Sequence, residues 1–414
     1  MRSSRSNVGT FRRGRKSNPS VPCWVLPCLA VSAGLFSMWA TSSGILDFRD
    51  ASVRGATGPG WALTGKEIPV AAGGLSADDP PPVVAFAISV TSLELPAALS
   101  MLDAAEVLIA SIDRTCRLSS YRCEKIAFVL TSVPESGRRH LEAMGWKLSE
   151  KDIPVAVADI EDEFYRNHVV KSGCCGADEF LKLHAYTLTD YHRVLHLDID
   201  TLMFHPMDEL MELNASLLYT TDPAMSPKGQ TVMPVQGGFL LVLPDLVVYQ
   251  KLCDIIRRGD WKVGGGWAGS RIGYFYGGPT IQGLLAYFYH VIAPGTAMEL
   301  DRCIYNHMSD SDKCRSAPYS MVTTDANSGK MGGNATVDQL GEVSVLPIKS
   351  VHFTQSCAKP WKCAHFRMGT GPPGPCASLQ NQWLEGRRTL FRDRGEPFVE
   401  ACGQGSYSPV PRGQ

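Results

Sequence analysis

From Val83 onward, short apolar runs alternate with amphipathic stretches. Val83–Val90 (VVAFAISV) is an almost unbroken hydrophobic run of strand length, as a strand covered on both faces requires. The pattern then predicts a helix over Leu95–Ile112, a strand over Ile126–Thr131, a helix over Ser136–Trp146 and a strand over Ile153–Ala158. Strand and helix in turn is the order of an α/β sheet with parallel strands. Over Ala177–Tyr191 the apolar positions Phe180, Leu181, Leu183, His184 and Leu188 make one stripe, which predicts a further helix. Strands follow at Val194–Leu197 and Gly238–Leu243, helices at Leu246–Arg257 and Thr280–Tyr289, and a late strand at Ser344–Phe353 that runs into a loop. A charged amphipathic helix over Leu379–Phe391 closes the series, and no internal repeat is present.

Composition adds bounds to this picture. Hydrophobic residues make up 44% and aromatics 9%, typical of globular domains, while 39 Gly and 27 Pro point to long irregular connections. A chain of 414 residues exceeds the usual size of one core, so one large domain with appendages, or two domains, is expected. The net charge of −1 argues against a nucleic-acid partner, which needs a clustered basic surface.

The N-terminus carries a different signal. Residues 1–20 hold six basic side chains and no acidic one, and Val21–Ala40 is uncharged over 20 residues. As a helix that run would be about 30 Å long, close to the hydrocarbon thickness of a bilayer. The reading is a basic cytosolic tail followed by a type II transmembrane signal anchor, with the bulk of the chain lumenal. Pro22 and Pro27 leave a second reading open, a signal peptide cleaved near Ala40. Residues 41–82, rich in Gly, Ala, Ser, Asp and Pro, predict a flexible stem. The folded domain is expected over 83–395, with a C-terminal tail over 396–414. Of 13 cysteines, eleven lie after residue 100 without zinc-finger spacing, so disulfides formed in an oxidising compartment are expected.

The sharpest candidate chemistry is RVLHLDIDTLMF, Arg193–Phe204. Strand alternation sends Asp198 and Asp200 to one side and Ile199 to the other. Ligands of open α/β sheets bind beyond the carboxyl ends of strands, which is where this pair falls. Two adjacent carboxylates repel unless a cation holds them; a hard divalent ion does so, and a diphosphate can complete its shell. The plainer alternative is one Asp capping a turn and the other solvated.

In these residues the chain resembles the family 8 glycosyltransferases, the group that contains glycogenin. The resemblance runs from about Val83 to Cys363 and is strongest in FLKLHAYTLTDYHRVLHLDIDTLMFHPMDEL, where Lys182, Asp198, Asp200 and Asp208–Leu210 match. It implies a GT-A type Rossmann-like mixed sheet flanked by helices, and retention of anomeric configuration. It also implies that Asp198 and Asp200 bind manganese (or magnesium) and the donor pyrophosphate, while Lys182 neutralises the leaving diphosphate. A second match, VHFTQSCAKPWKC, implies His352 as a metal ligand and Lys359 as a diphosphate contact. One nitrogen among oxygen ligands suits manganese better than magnesium. Cys357 and Cys363 flank this loop; a clamp across it and a Cys363–Cys376 bridge are both open.

A third match is looser. In VQGGFLLVLPD, Gln236 and Gly237 stand where the family has Asn-Ser, and in YGGPTIQGLLAYFY, Ile281 stands where it has Asp, so only Gln282 carries over. The resemblance implies a UDP-sugar donor, a glycan, protein or lipid acceptor, and residence in the Golgi or endoplasmic reticulum membrane. Tyr274, Tyr276, Tyr287 and Tyr289 read as packing residues. Asn214 and Asn334 head glycosylation sequons. Two rival readings remain. One is a non-catalytic nucleotide-sugar or glycan-binding member of the same fold. The other is a haloacid dehalogenase-type phosphatase with Asp198 as nucleophile; there the motif opens the domain, whereas several elements precede it here.

Overall fold

The computed structural model describes residues 80–173, 176–226, 230–308, 314, 319–320, 335–337, 343–354, 357–363, 375–403 and 406–412. Elements follow in chain order: β1 Val83–Val90, α1 Leu99–Cys116, β2 Arg122–Leu130, α2 Glu135–Ala143, β3 Lys147–Lys151, α3 Glu163–Val169, β4 Arg193–Leu197 and β5 Thr201–Met203. Then come β6 Leu217–Thr221, β7 Val235–Val242, α4 Leu246–Arg258, β8 Trp261–Lys262, β9 Gly266–Trp267, α5 Ile281–Tyr287, β10 Ala297–Glu299 and α6 Arg302–Tyr305. The late part holds β11 Tyr319–Ser320, β12 Ala335–Val337, β13 Val343–Pro347, β14 Ser350–His352 and α7 Pro375–Arg394.

A seven-stranded sheet in the order β10-β6-β7-β4-β1-β2-β3 forms the centre. β7 runs antiparallel to both β4 and β6, and the other neighbouring pairs are parallel. The mixed α/β architecture expected from the residue pattern is therefore present. The central strands bury apolar residues, β1 from Val84 to Ile88, β4 at Val194, Leu195 and Leu197, and β7 at Phe239 to Val242, beside the buried polar Arg193, His196 and Gln236. Because β1, β4 and β6 point the same way, their carboxyl ends share one edge, and the antiparallel β7 begins there.

Helix signals in the sequence land close to the observed ends. In α4, Asp245 caps the first turn by accepting from the Val247 and Val248 amides, and Gly259 ends it in the left-handed region at φ 66°. Three elements differ from expectation. The late run Ser344–Phe353 is two strands, β13 and β14, that pair in different sheets. The third strand is the Lys147–Lys151 segment KLSEK rather than Ile153–Ala158; it lies at the sheet edge, where a strand needs little apolar surface and charged residues are favoured. The Gly176–Thr187 stretch is a 3₁₀ helix, whose three-residue turn stacks side chains three apart.

A small antiparallel ribbon outside the main sheet decides the site. β5 pairs with β14, with Thr201 opposite His352 and Leu202 opposite Val351. Behind it a second apolar cluster joins Leu202, Val351 and Phe353 to Leu379 and Trp383 of α7. Disulfides Cys357–Cys376 and Cys363–Cys402 staple the intervening loop to α7 and to the C-terminal segment. Neither a bridge across the loop nor a Cys363–Cys376 pair forms. Cys116–Cys123 and Cys303–Cys314 are also bridged, and Cys253 is a buried free thiol. The C-terminal segment lies against α1: Val410 is buried, and Arg412 pairs with Asp103 and Glu106 at 2.7 and 2.8 Å.

The expectation of a type II Golgi or endoplasmic reticulum membrane protein is corrected. Among the described residues no helix is long and apolar enough to cross a membrane. The two longest helices, α1 and α7, carry charges such as Asp103, Glu106, Asp113 and Arg114 or Glu385, Arg387 and Arg388, which a hydrocarbon core would not accept. The basic tail, the Val21–Ala40 run and residues 41–79 of the stem lie outside the described residues, and so does Asn334; Asn214 is exposed.

Candidate metal and diphosphate site

The site assembles at the carboxyl end of β4. Asp198 follows that strand directly, and its amide donates to the Gly238 carbonyl at 3.1 Å. The Thr201 amide donates back to the Asp198 carbonyl at 3.1 Å, closing a turn that aims both carboxylates the same way. On the other side, the Phe353 amide donates to the Asp200 carbonyl at 2.9 Å, which ties the β14 ribbon to the motif.

That register brings His352 across more than 150 residues of sequence. Its Nε2 lies 3.2 Å from Asp200 Oδ1 and 3.8 Å from Asp198 Oδ2. One ligand atom from each of Asp198, Asp200 and His352 lies within 4.8 Å of the others. Lys359, from the stapled loop, makes an ion pair with Asp200. Lys182, from the 3₁₀ helix, reaches Asp198 Oδ1 at 2.8 Å. Five of the six residues singled out by sequence thus converge. Gln282 stands beside them: a Cβ added to Gly237 would lie 3.4 Å from Lys182 Nζ and 3.5 Å from Gln282 Cγ. Its amide turns to Met225 Sδ at 3.7 Å. Asp208, matched by the resemblance, is elsewhere; it accepts from the Ser119 hydroxyl and the Ser120 amide and holds the turn before β2.

Electrostatics follow from this crowding. Burial would raise the Asp198 carboxyl, but Lys182 and His352 outweigh it and hold the group below the usual carboxylate range. Asp200 is likewise depressed, burial being overcome by His352 and Lys359. Burial would lower His352, yet Asp200 and Asp198 hold it above its ordinary value. His196, one alternation before Asp198 on β4, is pushed down to about 3 by burial and by Lys182, so it stays neutral; it hydrogen-bonds Ser89 Oγ at 2.8 Å.

The donor set fits a divalent cation. Two carboxylates and an imidazole converge, the His352 Nδ1 atom is buried without a hydrogen-bond partner, and the space is kept by a glycine. A Cβ on Gly238 would sit 2.5 Å from His352 Cε1 and 2.8 Å from Asp198 Oδ2. Oxygen ligands with one nitrogen suit manganese or a similar ion. Gly238→Ala is expected to weaken Mn2+ binding on the order of tenfold, because ligand geometry must open to admit the methyl group. Mn2+ titration beside a thermal melt checks this; unchanged affinity would show that the cradle is not the binding place.

Sequence reasoning missed Glu179 and Gly238. Glu179 Oε2 lies 2.8 Å from Lys182 Nζ, and three-residue spacing before a lysine was its only signal. Gly238 carries a signal only once His352 is known to lie opposite.

No family model matches the chain, and no curated protein matches it. Solved structures do. The chain is similar to the galactosyltransferase LgtC in complex with donor and acceptor sugar analogs, at 13% identity over 75% of this chain and 99% of that one, with a TM-score of 0.42. It is similar to mouse xyloside xylosyltransferase 1, at 13% identity over 65% and 97%, TM-score 0.39. The glycosyltransferase GlyE of Streptococcus pneumoniae TIGR4 matches at 13% identity over 80% and 66%, TM-score 0.39. At such scores the likeness assigns no role to any residue, and roles rest on the site's own geometry.

Proposed function

We propose that this chain is a metal-dependent retaining glycosyltransferase that takes its sugar from a UDP-sugar, with residues 83–395 as the catalytic domain. The observation that carries this is the convergence of Asp198, Asp200 and His352 at a strand end, with two lysines beside them. When bound, a divalent ion supplies Lewis-acid stabilisation of the departing diphosphate. The chain's own residues do the rest. The bond between the anomeric carbon and the diphosphate oxygen breaks, and the electron pair leaves with the diphosphate. The acceptor hydroxyl, on a glycan, protein or lipid, bonds to that carbon on the same face and passes its proton to the diphosphate. Ile281 is fully buried and Gln282 offers only an amide, so no carboxylate stands at that position to form a glycosyl-enzyme.

Lys359 is the ammonium best placed to receive the diphosphate, since its side chain is 36% exposed against 7% for Lys182. Lys359→Met should weaken UDP binding at saturating Mn2+ on the order of tenfold, the loss of one charge-assisted contact; calorimetry measures it, and equal affinity would remove Lys359 from the donor site. The whole reading is tested by assaying the purified chain for manganese-dependent UDP release from a panel of UDP-sugars.

One observation favours a second reading, a non-catalytic binding protein. Ile281 fills with a buried methyl-bearing side chain the place where the family it resembles has an acid. UDP binding by calorimetry without hydrolysis or transfer across the donor panel would decide for that reading.

A further inference from the structure

An ammonium group has three N–H donors and no acceptor. In this chain all three of Lys182 are accounted for by acceptors: Glu179 Oε2 at 2.8 Å, Asp198 Oδ1 at 2.8 Å and the Gly237 carbonyl at 3.1 Å. The side chains of Lys182 and Glu179 are only 7% and 10% exposed. A lysine so enclosed has no donor left to offer a diphosphate arriving from solvent.

The 3₁₀ form of Gly176–Thr187 makes this arrangement. With three residues per turn, Glu179 and Lys182 eclipse on one edge, and that edge faces the start of β7 and the end of β4. Without Glu179, Asp198 would be the carboxylate left to the ammonium, whose whole charge would then fall on a group that a cation needs. With it, the lysine charge is shared, and Asp198 keeps one oxygen, Oδ2, turned toward His352 at 3.8 Å.

We propose that Glu179 is a positioning residue that holds Lys182 as a fixed strut beside Asp198, tuning the site toward the cation and leaving diphosphate contact to Lys359. This rests on the metal-site reading above and changes what Lys182 does within it. Glu179 acts through Lys182 and touches neither cation nor donor.

The charge logic gives two effects of opposite sign. Removing the Glu179 charge makes the site less negative and leaves the Lys182 charge unshared against Asp198, so the cation binds more weakly. The same loss of negative charge favours an anionic nucleotide once the cation is saturating. General damage to the site would weaken both.

The test uses the full chain with Mn2+ alone and then UDP as probes, free Mn2+ being read by electron paramagnetic resonance and UDP by calorimetry. Glu179→Gln should weaken Mn2+ on the order of tenfold and strengthen UDP several-fold, as expected for one charge acting at close range in a poorly solvated site. Glu179→Asp, which keeps the charge on a shorter arm, should recover much of the Mn2+ affinity. In a Lys182→Met background, Glu179→Gln should have a different effect from that in the native chain, since the strut is gone. Parallel weakening of both probes, no change in either, or an Asp variant that behaves like Gln overturns the proposal. A native chain that binds no Mn2+ overturns the proposed function itself, and this inference with it.

Discussion

Asp200→Ala is expected to lower manganese-dependent UDP release by at least about a thousandfold, some 4 kcal/mol of transition-state stabilisation. Asp200 is the centre of the site: His352 lies 3.2 Å from one of its oxygens and Lys359 pairs with the other. Its side chain is 8% exposed, so solvent cannot replace the lost ligand without rearrangement. Removal leaves a cation with one carboxylate and an imidazole, and leaves His352 and Lys359 facing each other without their shared counter-charge. Chelation of the native enzyme should reproduce the defect, and added Mn2+ should restore the native chain but not the variant. Undiminished release by Asp200→Ala at equal protein concentration would refute the assignment of this site.

The largest expected effect on stability lies far from the chemistry. Asp103 is fully buried on α1, where it accepts from the Tyr407 hydroxyl at 2.7 Å and the Val410 amide at 2.8 Å, and pairs with Arg412 at 2.7 Å. Arg387 of α7, itself buried, stands 3.8 Å away. Asp103→Ala leaves two enclosed guanidinium groups short of a counter-charge, and breaking a buried network from one side costs about 3–5 kcal/mol. A melting temperature lower by on the order of 10 °C under non-reducing conditions is the expected reading. The segment it anchors carries Cys402, which is bonded to Cys363 beside the Lys359 loop. Faster proteolysis of the C-terminal segment should accompany the loss of stability. A variant that melts with the native chain would mean that the network is neutral.

Much of the frame was legible along the chain because it rests on local signals. The apolar runs of β1, β4 and β7 and the capped, amphipathic α4 announce themselves through side-chain period and end residues. β3 is hidden in the sequence because an edge strand buries little and its segment reads as polar, whereas the neighbouring Ile153–Ala158 run is apolar without forming a strand. The 3₁₀ form of Gly176–Thr187 escaped because three- and four-residue turns share most of an apolar stripe. Disulfide formation was expected, but the pairing was not readable, since partners such as Cys363 and Cys402 meet only after α7 has packed on the β5–β14 ribbon.

The sequence alone determined the alternation of strands and helices, because that follows from periodicities of two and about three to four residues; it also placed Asp198 and Asp200 just past an apolar strand, although a turn rather than strand alternation aims them together. Only the tertiary structure decided what faces them. The placing of His352 opposite Thr201 and the closeness that Gly238 permits depend on strand register, and the meeting of Lys182 with Gly237 and Asp198 depends on how the 3₁₀ helix packs against β7 and β4. Register is set by the packing of residues distant in the chain, which no local pattern records.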